Sequence, residues 1–340
     1  MPAATPHWIL LAVFSGALIS LQARINGELA TAVGDGSSAA VISFGSGLLV
    51  LAIGLAVLRG PRAGLGRVVR DVRGGRLNRW QLLGGFGGGA FVLSQGITVE
   101  ALGVALFTVA VVAGQVSGGL LFDRVGLGPA GPQRPTRRRV LGAALVLVAV
   151  GLSMADKLAG QFPYWMLLLP LAAGLCVSWQ QAVNGHVRIS ADSGYTATFL
   201  NFLTGTAALT VVAVVHTLLS GLPGELPSEP YLYLGGLVGI AFISIAVVSV
   251  SRLGVLVLGL CTITGQLVGS LGLDLFLPHG DTDVTVATVV GVVVALGAVV
   301  LAAAAGGRGG RVVAVSTGTS ARARMPEEAP ARIEVSDKTR

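Results

Sequence analysis

Eight polar side chains sit in or at the ends of apolar runs, in two matched sets whose types and spacing could do chemistry. Gln22 and Asn26 lie four residues apart, on one helix face, just after the apolar run Trp8–Ser20. Gln180 and Asn184 repeat the pair in mid-chain. Gln115 and Gln266 stand inside Gly-x-x-x-Gly frames, Gly114–Gly118 and Gly265–Gly269, and Asp123 and Asp274 each follow their glutamine by eight residues. Polar groups in hydrocarbon are costly, so they face a bundle interior, a water-filled path, or each other. Amides there can bond a passing solute or a neighbouring helix, the latter worth about 0.6 to 2 kcal/mol. The carboxylates suit proton or cation coupling, because a desolvated carboxylate can titrate near neutral pH. They equally suit capping, or a salt bridge such as Asp123 with Arg124. The eight are candidate substrate-path or gate residues. Ser43 and Asn201 occupy matched positions and can join them. Gln95 has no match and reads as structural, while Glu28 and Glu100 fall in turns and read as solvated.

Enzyme chemistry is not expected. His7, His186, His216 and His279 are scattered, with no metal-ligand spacing. There is no His-Glu-x-x-His, no Gly-x-x-x-x-Gly-Lys phosphate loop and no Gly-x-Ser-x-Gly. No cofactor and no metal is expected. Cys176 and Cys261 both lie in apolar runs and read as small core residues.

The elements that must position these residues are membrane helices. Hydrophobic residues make up 53% of the 340-residue chain, charged residues 11%, and mean hydropathy is +0.80. Soluble domains carry about 25% charge, so this chain cannot cover itself with hydrated surface. Its 50 glycines suit the close helix contacts that lipid favours. A span needs about 20 apolar residues, which predicts ten: 8–26, 37–58, 80–99, 102–121, 139–155, 164–184, 195–219, 231–250, 254–273 and 285–305. The fifth is the shortest. The formal charge of +7 does not point to nucleic acid, because arginines fill the loops after the second and fourth spans, whereas loops 220–230 and 274–283 are acidic. Arginine-rich loops stay cytoplasmic, so both termini are expected inside. The tail 306–340 has little apolar content and reads as disordered.

The chain repeats itself. A shift of 158 pairs Ser20 with Ser178, Gln22 with Gln180, Asn26 with Asn184, Phe44 with Phe202 and Gly47 with Gly205. A shift of 151 aligns Leu83–Asp123 with Leu234–Asp274 at 15 identities in 41 positions. The expected organisation is a first five-span repeat over 1–156, a second over 157–305, and the tail. An odd number of spans inserts the second copy upside down, an architecture of secondary transporters.

The paired Gln-x-x-x-Asn-Gly (Gln22–Gly27, Gln180–Gly185), the Gly-Gly at Gly84 and Gly235, and Gly-Gln followed by Asp in the fourth span resemble the YdcZ-like family of the drug/metabolite transporter superfamily. The resemblance covers about 8–305. It implies an all-α integral membrane protein, ten transmembrane helices in two inverted five-helix repeats, and a cytoplasmic-membrane exporter of small molecules. Single-unit members would pair as dimers; the fused chain can act as a monomer or homodimer. The expected partners are a small-molecule substrate and the lipid bilayer. A passive channel or facilitator for a small polar solute is the alternative that the residues leave open.

Overall fold

A computed structural model describes residues 6–129, 131–132, 136–153, 165–277 and 284–304. The expected tail at 306–340 and most of the acidic loop near 274–283 lie outside them. Among the described residues the chain is all-helical. The helices are α1 (Pro6–Val33), α2 (Gly36–Val57), α3 (Arg59–Arg73), α4 (Gly85–Leu102), α5 (Val104–Val125), α6 (Arg137–Ser153), α7 (Trp165–Ala191), α8 (Gly194–Ser220), α9 (Gly235–Phe276) and α10 (Val286–Ala304). Short 3-10 turns at Arg79–Gly84 and Pro230–Leu234 lead into α4 and α9.

By length and composition, six of these segments can cross a membrane: α1, α2, Arg79–Leu102, α5, α7 and α8. Apolar stretches in α6, at the start of α9 and in α10 are shorter. The fifth predicted span is indeed short, since α6 has 17 residues.

Three features differ from the expected ten spans. The arginine-rich segment after α2 is not a loop but helix α3, whose buried Gly64 and Val68 rest against the α7–α8 corner. Helix α1 continues past the expected boundary at residue 26 to Val33. The expected eighth and ninth spans are continuous helix, the 42 residues of α9. A straight helix of that length would measure about 63 Å. Yet Gly235 packs on Asn26, Gly239 on Gln22, Gly265 on Val13, Gly269 on Ala17, and Asp274 shares a cavity lining with Arg24 and Glu28. Early α9 therefore descends α1 and late α9 climbs it again. The helical segment is thus two limbs that reverse between Gly239 and Gly265, as two separate spans require.

Glycine makes these contacts possible. A Cβ on Gly16 would strike the Thr262 carbonyl, and one on Gly265 the Val13 carbonyl. The same interlock joins α5 to α7, where Gly174 meets the Val111 carbonyl and Gly114 meets that of Leu171. The Gly-x-x-x-Gly frames are helix contact, as their spacing predicts. Ser20 Oγ donates to the Gln266 carbonyl at 2.7 Å, and Ser178 Oγ to the Gln115 carbonyl at 2.7 Å. Each contact of one helix pair thus recurs in the other at the shifts of 158 and 151. Phe44 and Phe202 stack with centroids 4.8 Å apart, and each ring covers the other's matched glycine, Gly205 and Gly47. A second core joins α5, α6, the late limb of α9 and α10 through Val109, Val146, Leu267, Val292 and Ala298.

Candidate functional site

The amide pair of α1 is fully enclosed. Gln22 Nε2 donates to the Gly235 carbonyl at 2.9 Å, and Asn26 Nδ2 donates to Gln95 Oε1 at 2.6 Å. Gly235 admits this approach because a Cβ there would meet Asn26 Oδ1, with Ser43 Oγ 2.7 Å away. Asn26 is 1% exposed and Gln95 0%. Asn26 Oδ1, Gln95 Nε2 and Ser43 Oγ are nonetheless buried without a hydrogen-bond partner. Such orphaned atoms cost about 1 to 3 kcal/mol each, so this knot of polar groups is not an optimised helix contact.

Gln95, structural by its sequence, makes an interhelical bond to Asn26, and the matched site differs at this point. On α7, Asn184 Nδ2 donates to Asn201 Oδ1 at 2.9 Å on α8. The residue matching Asn201 is Ser43, whose hydroxyl makes no hydrogen bond, and Asn26 bonds Gln95 on α4. Gln180 lies over Gly87 and Gly88, and Asn184 over Gly84, as Gln22 lies over Gly239 and Asn26 over Gly235.

Asp274 caps a helix. Its Oδ1 accepts from the Val104 N–H at 3.0 Å and its Oδ2 from the Ala105 N–H at 2.7 Å, at the first turn of α5. That turn begins at Gly103, where φ is +76°, a conformation that glycine adopts at little cost. The carboxylate thus satisfies two N–H groups that a helix start leaves open. Truncation by Asp274→Ala should lower stability by about 1 to 2 kcal/mol. Asp274→Asn, keeping one acceptor oxygen, should cost about half of that, as read by thermal unfolding in detergent. Equal stability of all three proteins would remove the cap from the account.

Glu28 is not solvated as the sequence suggested. It pairs with Arg24 one turn away, the two side chains being 14% and 10% exposed. Arg24, Glu28, Glu100 and Asp274 line one small cavity with Val99 and Gly103. The ion pair was missed because the first span was ended at residue 26, which put Glu28 outside the helix.

The eight candidates divide by environment. Gln22, Asn26, Gln266 and Asp274 are all buried. Gln180, Asn184, Gln115 and Asp123 are all half-buried. Matched residues of the two sets therefore occupy unlike surroundings.

A family model described as "Putative inner membrane exporter, YdcZ" matches residues 7–152 and again residues 165–301. The chain belongs to this drug/metabolite transporter family. The family is one of membrane exporters, not of enzymes, and with the apolar helices it makes the chain a multi-pass protein of the cytoplasmic membrane. Each half meets the family pattern separately. A comparison with curated proteins finds no match. Among the described residues, no three His, Cys, Asp or Glu side chains are grouped to hold a metal ion.

Proposed function

We propose that the protein is a secondary transporter built as two inverted five-helix repeats, exporting small metabolites or drugs by alternating access with both termini cytoplasmic. One observation carries the reading: matched residues on α1 and α7, and on α9 and α5, are buried in one set and half-buried in the other. Inversion sorts the set Gln22, Asn26, Gln266 and Asp274 to the outer end, and the set Gln180, Asn184, Gln115 and Asp123 to the inner end. A bundle closed outside and looser inside is what an inward-facing state requires, and exchange of the two environments between the halves gives the outward-facing state. The recurrence of contacts at the two shifts and the double family match support the same architecture.

Two measurements test it. A cysteine at Leu226, which is 67% exposed, should react with an impermeant reagent from the outside only. Labelling from the cytoplasm alone would overturn the inverted arrangement. Uptake into inside-out vesicles should concentrate a substrate above the bath when an ion gradient is applied. Mere equilibration would make the protein a passive channel or facilitator instead.

A further inference from the structure

Helix α3 has a task that transport does not explain. Its inner face is Pro61, Gly64, Leu65, Val68 and Val72, in contact with α7 and α8 or half-buried beside them. Its opposite face is a single stripe at helical spacing: Arg59, Arg62, Gly66, Arg70 and Arg73, all exposed. Among the described residues, no hydrogen bond or ion pair engages Arg59, Arg70 or Arg73, while Arg62 reaches the Val57 and Leu58 carbonyls. Asp71, the lone acid between residues 59 and 79, is turned off the stripe. The Ser190 hydroxyl and the Arg76 guanidinium, helped by the nearby charge of Arg70, hold its carboxyl below the usual carboxylate range. The stripe is therefore purely cationic.

Its level in the membrane is marked at both ends. Val57 and Leu58 are exposed just before α3, and Trp80 and Leu83 just after the loop that follows it. An indole at the end of a span sits at the boundary between hydrocarbon and headgroups, and exposed Val57 and Leu58 mark the hydrocarbon side of it. A helix held between two such markers runs along that boundary, with its arginines at headgroup height.

We propose that the outer stripe of α3 binds the phosphates of anionic lipid headgroups. Guanidinium groups match phosphate geometry in bidentate fashion, and each basic residue near an anionic surface is worth about fivefold in local occupancy. The small Gly66, at the middle of the stripe, leaves room for a headgroup between the arginine pairs. The site is mechanically tied to the interior. Arg67 on the flank of α3 donates to the Ala191 carbonyl through Nε at 2.9 Å and Nη2 at 2.5 Å, and Ala191 ends the helix that carries Gln180 and Asn184. Lipid bound on α3 thus holds the end of α7, whichever solute the protein moves.

The test uses the full chain in nanodiscs containing trace photoreactive-headgroup lipid, either phosphatidylglycerol or phosphatidylcholine, with crosslinks mapped to peptides. The anionic probe should label the segment 59–79 several-fold above the zwitterionic one, and the excess should fall by at least about tenfold in R59Q/R70Q/R73Q. Because that variant could mis-insert, the unaltered protein is also titrated with salt. Anionic labelling should decline as ionic strength rises, and zwitterionic labelling should not. Equal labelling by the two probes, labelling that ignores salt, or an anionic signal confined to the tail arginines Arg308–Arg324 would each overturn the site.

Discussion

Gly265→Ala should cost about 3 kcal/mol, the upper end of what overpacking costs, and Gly114→Ala should match it. The added methyl does not meet a side chain that could swing away. On Gly265 it meets the carbonyl of Val13, and on Gly114 that of Leu171, both fixed in helical backbone. The whole of α1 or α7 would have to move. Gly119 and Gly272 supply the control, since nothing lies within 4 Å of a Cβ at either. Alanine there should be neutral, or gain up to about 1 kcal/mol from helix propensity. Thermal unfolding of the four purified variants decides it. If Gly119→Ala falls as far as Gly114→Ala, the interlock described here is wrong.

The second large effect concerns the amides. Gln22→Leu with Asn26→Leu removes two hydrogen bonds made in this conformation, to Gly235 and Gln95. At about 0.6 to 2 kcal/mol each, their loss shifts the balance between facing states by about tenfold or more, away from the state described. Gln180→Leu with Asn184→Leu removes one bond from this state, Asn184–Asn201, but the counterparts of both closed-end bonds from the exchanged state, so the balance should shift the other way by the smaller net amount. A cysteine at Ser43, now 1% exposed, reports the outcome. It should become reactive from outside in the first variant and stay unreactive in the second. Should both label like the parent, the amides are helix packing and nothing more.

Much of this arrangement is legible in the amino-acid sequence, for physical reasons. Hydropathy marks helices, and the Gly114–Gly118 and Gly265–Gly269 frames mark where backbones touch, but that α7 and α1 are their partners is seen only in the structure. The matched shifts foretell which contacts recur. What escaped is equally instructive. Helix α3 is hidden by Gly60, Pro61, Gly64 and Gly66, which argue for a loop, although its apolar face recurs at helical spacing. The bond from Asn26 to Gln95 has no match in the second half, where Asn184 bonds Asn201 and Ser43 stands at Asn201's matched position. The Arg24–Glu28 pair shows the cost of ending a helix where hydropathy falls: an ion pair at i,i+4 satisfies itself and lets α1 continue. The fold-back of α9, by contrast, agrees with the two spans expected at 231–250 and 254–273; only the helical assignment across the join differs.

Phe44 and Phe202 are matched positions of the two halves in direct contact. Any contact between residue i of one half and residue j of the other becomes, when the halves trade conformations, a contact between their counterparts, so it is broken in one place and remade elsewhere. A residue touching its own counterpart is the exception, for the trade maps that pair onto itself. The stacked rings, 4.8 Å apart and seated on each other's glycines, would be a fixed point of the proposed exchange. In the alternating access proposed above, this pair would act as a fulcrum, with the two amide sites as the ends of the beam.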